Sequence, residues 1–341
     1  MQAARLHEYG RPLSLDSVPE PGLFGSNDVI VRIGGAGLCR TDLHIIEGVW
    51  REKVSVTLPY TLGHESAGWV ELAADGVTTV RVGDAVIVHP LVTCGVCPAC
   101  RRGEDMYCTS GSFPGITTDG GFAQYLRTNE RALVKLADGV EPRDVAPYAD
   151  AGLTAYRAAR KAAGILRPGQ RVAVIGVGSL GHIALQALHV LCAADVVAVD
   201  HSPLALQLAG ELGADEVVPG GEGAVEAVRE LTGGDGVEAV IDFVGEGDSV
   251  EQGIAMLRRG GTYFSVGYGG RVNVPTIDVV FQEISVVGNL VGNYTELAEL
   301  MTLAARGKVH LRTRAYPLAE INLAIEDLHR GRIQGRGVIV P

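Results

Sequence analysis

Between about residue 168 and residue 307 the chain repeats one unit, a short apolar run followed by a stretch with helical spacing. RVAVIGVG, DVVAVD, EVVPGG, EAVIDFVG, TYFSVGY and ISVVGNLVG read as strands. LGHIALQALHVL, SPLALQLAGELG, EGAVEAVRELTGG, SVEQGIAMLRRGG and TELAELMTLAARG read as helices. Strands joined through helices run parallel, so this half of the chain predicts a doubly wound parallel sheet. Ser202 is placed to cap the helix that begins after it, and Gly213 to stop that helix.

GVGSLG opens this pattern and puts Gly176, Gly178 and Gly181 in G-x-G-x-x-G register. The motif alone is weak, but here it comes after a strand and opens a helix. The next strand ends in Asp200, nineteen residues after Gly181. Gly176 permits the tight turn, Gly178 admits a pyrophosphate close to the backbone, and Gly181 lets helix and strand approach. Asp200 would accept hydrogen bonds from ribose hydroxyls and repel a 2′-phosphate, which favours NAD over NADP.

A chain of 341 residues is too long for one ordinary core, so at least two domains are expected. Residues 1–150 differ in pattern from the strand–helix repeat. DVIVRIGGAG, AGWVELAAD, DAVIVHPLV and FAQYLRT are strand-like pieces between Gly and Pro turns. The tail after about 307 returns to strand-like pieces around one helix and is expected to rejoin this first part. The division is therefore 1–150, 151–293, and a C-terminal segment 294–341 belonging with the first.

Residues 94–108 read CGVCPACRRGEDMYC, a C-x2-C-x2-C-x7-C spacing. Four thiolates this close can close a tetrahedral zinc shell through Cys94, Cys97, Cys100 and Cys108. A closed shell leaves no position for substrate, so the site is structural. A ferredoxin-type run has a different fourth spacing and a proline after the last cysteine; here Thr109 stands in that place.

Net charge and composition exclude other classes. The formal charge of −11 argues against binding a phosphate backbone. Charged residues at 20% and hydrophobic ones at 47% argue for a packed globular chain. The longest apolar stretch, 172–199, is broken by three glycines, Ser, Gln, two His and Asp, so no membrane span is read there. The opening MQAARLHEYG has no apolar signal core, and the expectation is a reducing, cytoplasmic location in which cysteines bind metal rather than pair.

GLCRTDLH at 37–44, GHESAGWVE at 63–71, VGDAVIV at 82–88, the four-cysteine lobe, VIGVGSLG with Asp200, and GRGVIV near the end occur in an order that resembles the zinc-dependent medium-chain alcohol dehydrogenases. The resemblance covers essentially the whole chain. It implies a GroES-like β-barrel catalytic domain, a Rossmann domain and a cleft between them. It also implies NAD and two zinc ions per chain as cofactors. Cys39 and His64 resemble ligands of a catalytic zinc. The third ligand in many relatives is a cysteine, and the matching place here offers Asp150. Glu65 resembles a carboxylate that can approach the metal, and Asp42 one that orients the His64 ring. Thr41 and His44 match a proton relay from the substrate oxygen to solvent. Arg40 and Arg336 match contacts to the cofactor pyrophosphate. Trp50 and Tyr294 are candidates for the substrate cleft.

Taken singly, each residue has a plainer reading: Cys39 as a packed small side chain, His64 as a turn histidine, Asp150 as a helix cap. Cys192, His182 and His189 are read as packing or surface residues of the Rossmann helix. The implied activity is reversible NAD-linked oxidation of an alcohol to a ketone or aldehyde. The segments EGVW, HPLV and NLVGNY are mostly apolar, which favours secondary or aromatic alcohols. Alternatives within the same family are a polyol or sugar dehydrogenase and a zinc-free quinone reductase. The latter would lack Cys39 and the cysteine lobe. A non-catalytic nucleotide-binding protein is the alternative from another class. ISVVGNLVG is a candidate edge strand for pairing across a two-fold axis. The expected partners are thus a small alcohol or ketone and further copies of the chain, with a tetramer favoured over a dimer, and neither nucleic acid nor membrane.

Overall fold

In the computed structural model, which describes residues 1–52, 54 and 56–341, the chain forms two compact units. The first comprises 1–153, 292–305 and 311–341, and the second 154–291 with 306–310. The stretch 294–341 therefore does not stay whole. Arg306–His310 belongs with the second unit, because the Gln186 side chain holds both the N–H and the carbonyl of His310 at 2.9 and 3.0 Å.

In the first unit, β1 (Gln2–Leu6) pairs antiparallel with β2 (Ser14–Ser17) and with the short β4 (Tyr60–Thr61). The long strand β3 (Asp28–Leu38) is the centre of a larger sheet. It takes β5 (Glu65–Ala73) on one side and β7 (Tyr125–Asn129) on the other near its start. β6 (Ala85–Val88) and β8 (Leu133–Lys135) extend the sheet beyond β5. The sheet packs on a core that includes Leu6, Val31, Leu38, Val86, Phe122 and Ile339.

The second unit is a six-stranded parallel sheet in the order β11-β10-β9-β12-β13-β14, built from β9 (Arg171–Ile175), β10 (Asp195–Asp200), β11 (Glu216–Pro219), β12 (Val237–Asp242), β13 (Leu257–Ser265) and β14 (Ser285–Gly288). From β9 the chain winds outward to β11, then returns to the other side of β9 with β12. The loops after β9 and β12 thus flank the point where winding reverses, the usual place for a nucleotide in such sheets. Ser202 caps the helix Pro203–Glu211 through the Ala205 N–H, and Gly213 lies just past that helix with φ +97°.

One assignment fails. SVEQGIAMLRRGG is helical only from Ser249 to Met256, and Leu257–Gly261 begins β13. The pairing of β13 with β12 slips between Val237 and Ala239, which absorbs LRRGG as an irregular strand start, with Gly260 at φ +73°. The apolar spacing of Ile254 and Leu257 imitated a helix turn that the sheet overrides.

The tail supplies β15 (Thr313–Pro317) and β16 (Arg336–Val340). β16 pairs antiparallel with the end of β3, bringing Gly337 opposite Leu38 and setting the C-terminus beside the segment that carries Cys39.

Candidate active site

β3 ends at Leu38, and a helix begins at Arg40 and runs to Ile46. Cys39 sits at the junction as its N-cap, so its thiol is fixed by both elements. Asp42, three residues on, turns back and accepts from the Cys39 N–H at 2.8 Å. The other Asp42 oxygen lies 3.4 Å from His64 Nδ1, and both side chains are buried. Holding Nδ1 aims Nε2 the opposite way, to 3.5 Å from Asp150. An acid behind a histidine in this way fixes the ring orientation and the tautomer of a metal ligand.

The ligand atoms of Cys39, His64, Glu65 and Asp150 all lie within 4.8 Å of one another. Sulfur, imidazole nitrogen and carboxylate oxygen are the donors zinc takes, and ligands at zinc bond lengths of about 2.0–2.3 Å would need only a small contraction to close on an ion. The residues present therefore fit a metal. Burial opposes a charged imidazole at His64, but Asp42, Asp150 and Cys39 outweigh it and hold the ring well above its ordinary value. A cation among these groups would reverse that balance, since histidine ligates only as the neutral ring.

Glu65 is the fourth member and is also gripped by a cation. Arg336 grips its carboxylate with two nitrogens, Nε at 3.0 Å and a terminal nitrogen closer still. Both side chains are buried. Burial raises the Glu65 carboxyl above the usual carboxylate range, and Arg336 offsets only part of this. The Glu65 carboxylate occupies the place a side chain on Gly37 would need, so β3 must carry glycine there. Arg336 was expected to meet the cofactor pyrophosphate; the structure shows it paired with Glu65, since a guanidinium this buried requires a carboxylate.

Thr41 is buried and His44 half-buried, one helical turn apart on the same face. His44 Nδ1 lies 3.8 Å from Glu47. Arg40 is exposed. Trp50 packs partly buried against the first unit's core. Tyr294 begins the helix Tyr294–Ala305. Its N–H donates to Asp105 and its hydroxyl to the Leu133 carbonyl, and it lines a cavity of about 530 Å³ with Cys100, Glu130 and Arg131. NLVGNY as an apolar run gave no sign of these polar partners.

Two residues at or near the site had no sequence signal. Phe113 stands edge-on to the His64 ring, centroids 5.8 Å apart, from an irregular stretch that spacing cannot place. His89 is buried with Nε2 3.0 Å from the Gly292 carbonyl, while Nδ1 takes the Leu91 N–H at 3.3 Å. Burial lowers its pKa, so the ring stands neutral and ties two distant loops.

The four lobe cysteines also have their sulfur atoms within 4.8 Å of one another. The Cys97 N–H points at the Cys94 sulfur at 3.3 Å and the Cys94 N–H at the Cys108 sulfur at 3.4 Å. Backbone donors, that of Cys100 foremost, lower the Cys97 thiol to about 6. Thiolate character is what zinc ligation requires.

In the second unit Gly176 has φ +84°, and the space a side chain on Gly178 would fill is open. That opening after β9 is a cradle in which a pyrophosphate can meet the backbone. Asp200, at the end of β10, accepts from the Val177 N–H at 2.7 Å and the Ser202 N–H at 2.8 Å, which ties it to the glycine turn. His182 is buried with Nδ1 2.8 Å from the Gly178 carbonyl, His189 is exposed, and the Cys192 thiol donates to the Leu188 carbonyl.

Residues 25–138 match the alcohol dehydrogenase GroES-like domain, and residues 179–306 match the zinc-binding dehydrogenase domain. An alcohol dehydrogenase of Geobacillus stearothermophilus is 36% identical over 342 residues, covering 99% of this chain and 98% of that protein. An NAD-dependent alcohol dehydrogenase of Sulfurisphaera tokodaii is 35% identical over 350 residues, the full length of both. The crystal structure of the alcohol dehydrogenase from the hyperthermophilic archaeon Aeropyrum pernix superposes with a TM-score of 0.97, at 50% identity and full coverage of both chains.

Proposed function

The chain belongs to the zinc-dependent medium-chain alcohol dehydrogenases, and from that premise we propose that it oxidises secondary or aromatic alcohols to ketones or aldehydes with NAD. The observation that carries this reading is the convergence of Cys39, His64 and Asp150 on one point, with Asp42 behind the histidine.

Cys39, His64 and Asp150 would hold a catalytic zinc, and Cys94, Cys97, Cys100 and Cys108 a structural one. Zinc in the first site supplies Lewis acidity that lowers the pKa of an alcohol hydroxyl, and NAD supplies the hydride acceptor. Asp42 keeps the His64 ring aimed, and a bound metal would keep it neutral. Arg336 engages the Glu65 carboxylate beside the three ligands, so that the fourth position would be left to substrate. Thr41 accepts the hydroxyl proton beside the alcohol oxygen, and His44, partly open to solvent on the same helix face, passes it on. Gly176, Gly178 and Gly181 admit the pyrophosphate, and Asp200 accepts from the adenosine ribose. Arg40, exposed at the start of its helix, offers its guanidinium to a phosphate.

A rate screen following NAD reduction over primary, secondary, aromatic and polyol alcohols tests the reading. Fastest turnover on secondary or aromatic alcohols is expected. Fastest turnover on polyols would replace the substrate class with a sugar alcohol, and turnover on none would remove the enzymatic reading.

A further inference from the structure

A carboxylate of the second unit that takes four hydrogen bonds belongs to a residue that the cofactor motif does not contain. Asp242 is the last residue of β12 and is fully buried. One of its oxygens accepts from the N–H groups of Val244 at 2.7 Å and Gly245 at 3.0 Å. The other accepts from the hydroxyls of Ser249 at 2.9 Å and Tyr263 at 2.6 Å. Four donors occupy about the four lone-pair sites a carboxylate offers. The donors come from the turn after β12, the helix Ser249–Met256 and β13, so one side chain locks three elements together.

The turn locked in this way faces the glycine motif. A side chain on Gly176 would meet Val244 Cγ2 at 2.7 Å, and one on Gly181 would lie 3.6 Å from the Phe243 ring. Winding reverses between β9 and β12, so the turn 243–245 and the glycine turn 176–181 are the two walls of the crevice at that reversal. The glycine wall is shaped by its own sequence. The wall opposite is shaped by Asp242.

We propose that Asp242 is a positioning residue for the dinucleotide: it fixes the turn 243–245 at the distance from Gly176–Gly181 that NAD requires, without touching the cofactor. The proposal rests on the NAD reading above. With four donors facing it, Asp242 serves only as an acceptor. An asparagine there can keep its oxygen toward the two backbone N–H groups, but its amide hydrogens then face the Ser249 and Tyr263 hydroxyls, which must turn to accept and lose Asp242 as the acceptor for their own hydrogens. Asp242→Asn therefore unties the turn from the helix Ser249–Met256 and from β13 while keeping the size of the side chain. Tyr263→Phe and Ser249→Ala each remove one donor and leave the acceptor intact, so they loosen the turn by a smaller step.

The test is NAD affinity of the full-length zinc-loaded protein, by fluorescence titration and by KM for NAD, with unfolding temperature recorded alongside. Asp242→Asn should weaken NAD binding roughly tenfold or more, the scale of unpairing a buried polar group. The loss should fall on KM for NAD more than on kcat, and KM for the alcohol at saturating NAD should move less. Tyr263→Phe and Ser249→Ala should lie between wild type and Asp242→Asn, and they answer the question if Asp242→Asn does not fold. Variants with lowered unfolding temperature but wild-type NAD affinity would overturn the proposal and leave Asp242 a stabilising residue only. A wild type that binds no NAD would instead overturn the functional reading on which the proposal stands.

Discussion

At the residue scale, the candidate catalytic site is made by buried polar side chains each held by a specific partner. Thr41→Ala removes the hydroxyl of the relay and nothing that holds zinc or NAD. Turnover should fall strongly while zinc content and NAD affinity stay near wild type; an unchanged steady-state rate would rule the relay out. The Glu65–Arg336 pair makes a different prediction. Arg336→Met leaves a carboxylate buried without its cation, and breaking such a pair costs about 3–5 kcal/mol. Urea unfolding should show a loss of that order, and a loss under about 1 kcal/mol would mean that Glu65 finds another partner or stays protonated. That pair was not legible in the sequence, since its members lie 271 residues apart and only the pairing of β16 with β3 brings them together. Cys39, His64 and Asp150 are also far apart in the chain, and without a family resemblance their plainer readings were the better ones.

At the element scale, what spacing and period could reveal was local. The glycine turn between β9 and its helix, and Asp200 at the end of β10, were legible because strand, turn and helix succeed one another within thirty residues. The cysteine lobe was legible because four cysteines fall within fifteen residues. Residues 257–261 were misread because their apolar spacing continues a helix and only the pairing with β12 shows a strand. The partners of Tyr294, Asp105 and Leu133, were not legible because they lie more than 150 residues back along the chain. The closed shell of the lobe makes its own prediction. Cys97→Ser should lower the zinc content by one ion per chain and lower the unfolding temperature. A variant that keeps the wild-type zinc content would show that the four cysteines do not share an ion.

At the scale of the whole molecule, each unit presents its own half of the chemistry: a metal-ligand cluster in the first, a nucleotide crevice in the second. The sheet of the second unit ends at β14, a short strand with Val286 exposed. Such an edge pairs readily with another copy. Light scattering should therefore find an oligomer, and Val286→Lys, which sets like charges against each other across a two-fold axis, should shift it to a smaller species. A wild-type monomer, or a variant oligomer of unchanged mass, would exclude β14 as the contact. Among the described residues no helix is long and apolar enough to cross a membrane.

The central claim is that Cys39, His64 and Asp150 hold the zinc on which NAD-linked alcohol oxidation depends. Its most direct test is zinc content measured together with turnover in wild type and in Asp150→Ala. The account predicts two zinc ions per chain and activity in the wild type, against one zinc, retained NAD binding and turnover near background in the variant. Two zinc ions and full turnover in Asp150→Ala would contradict it.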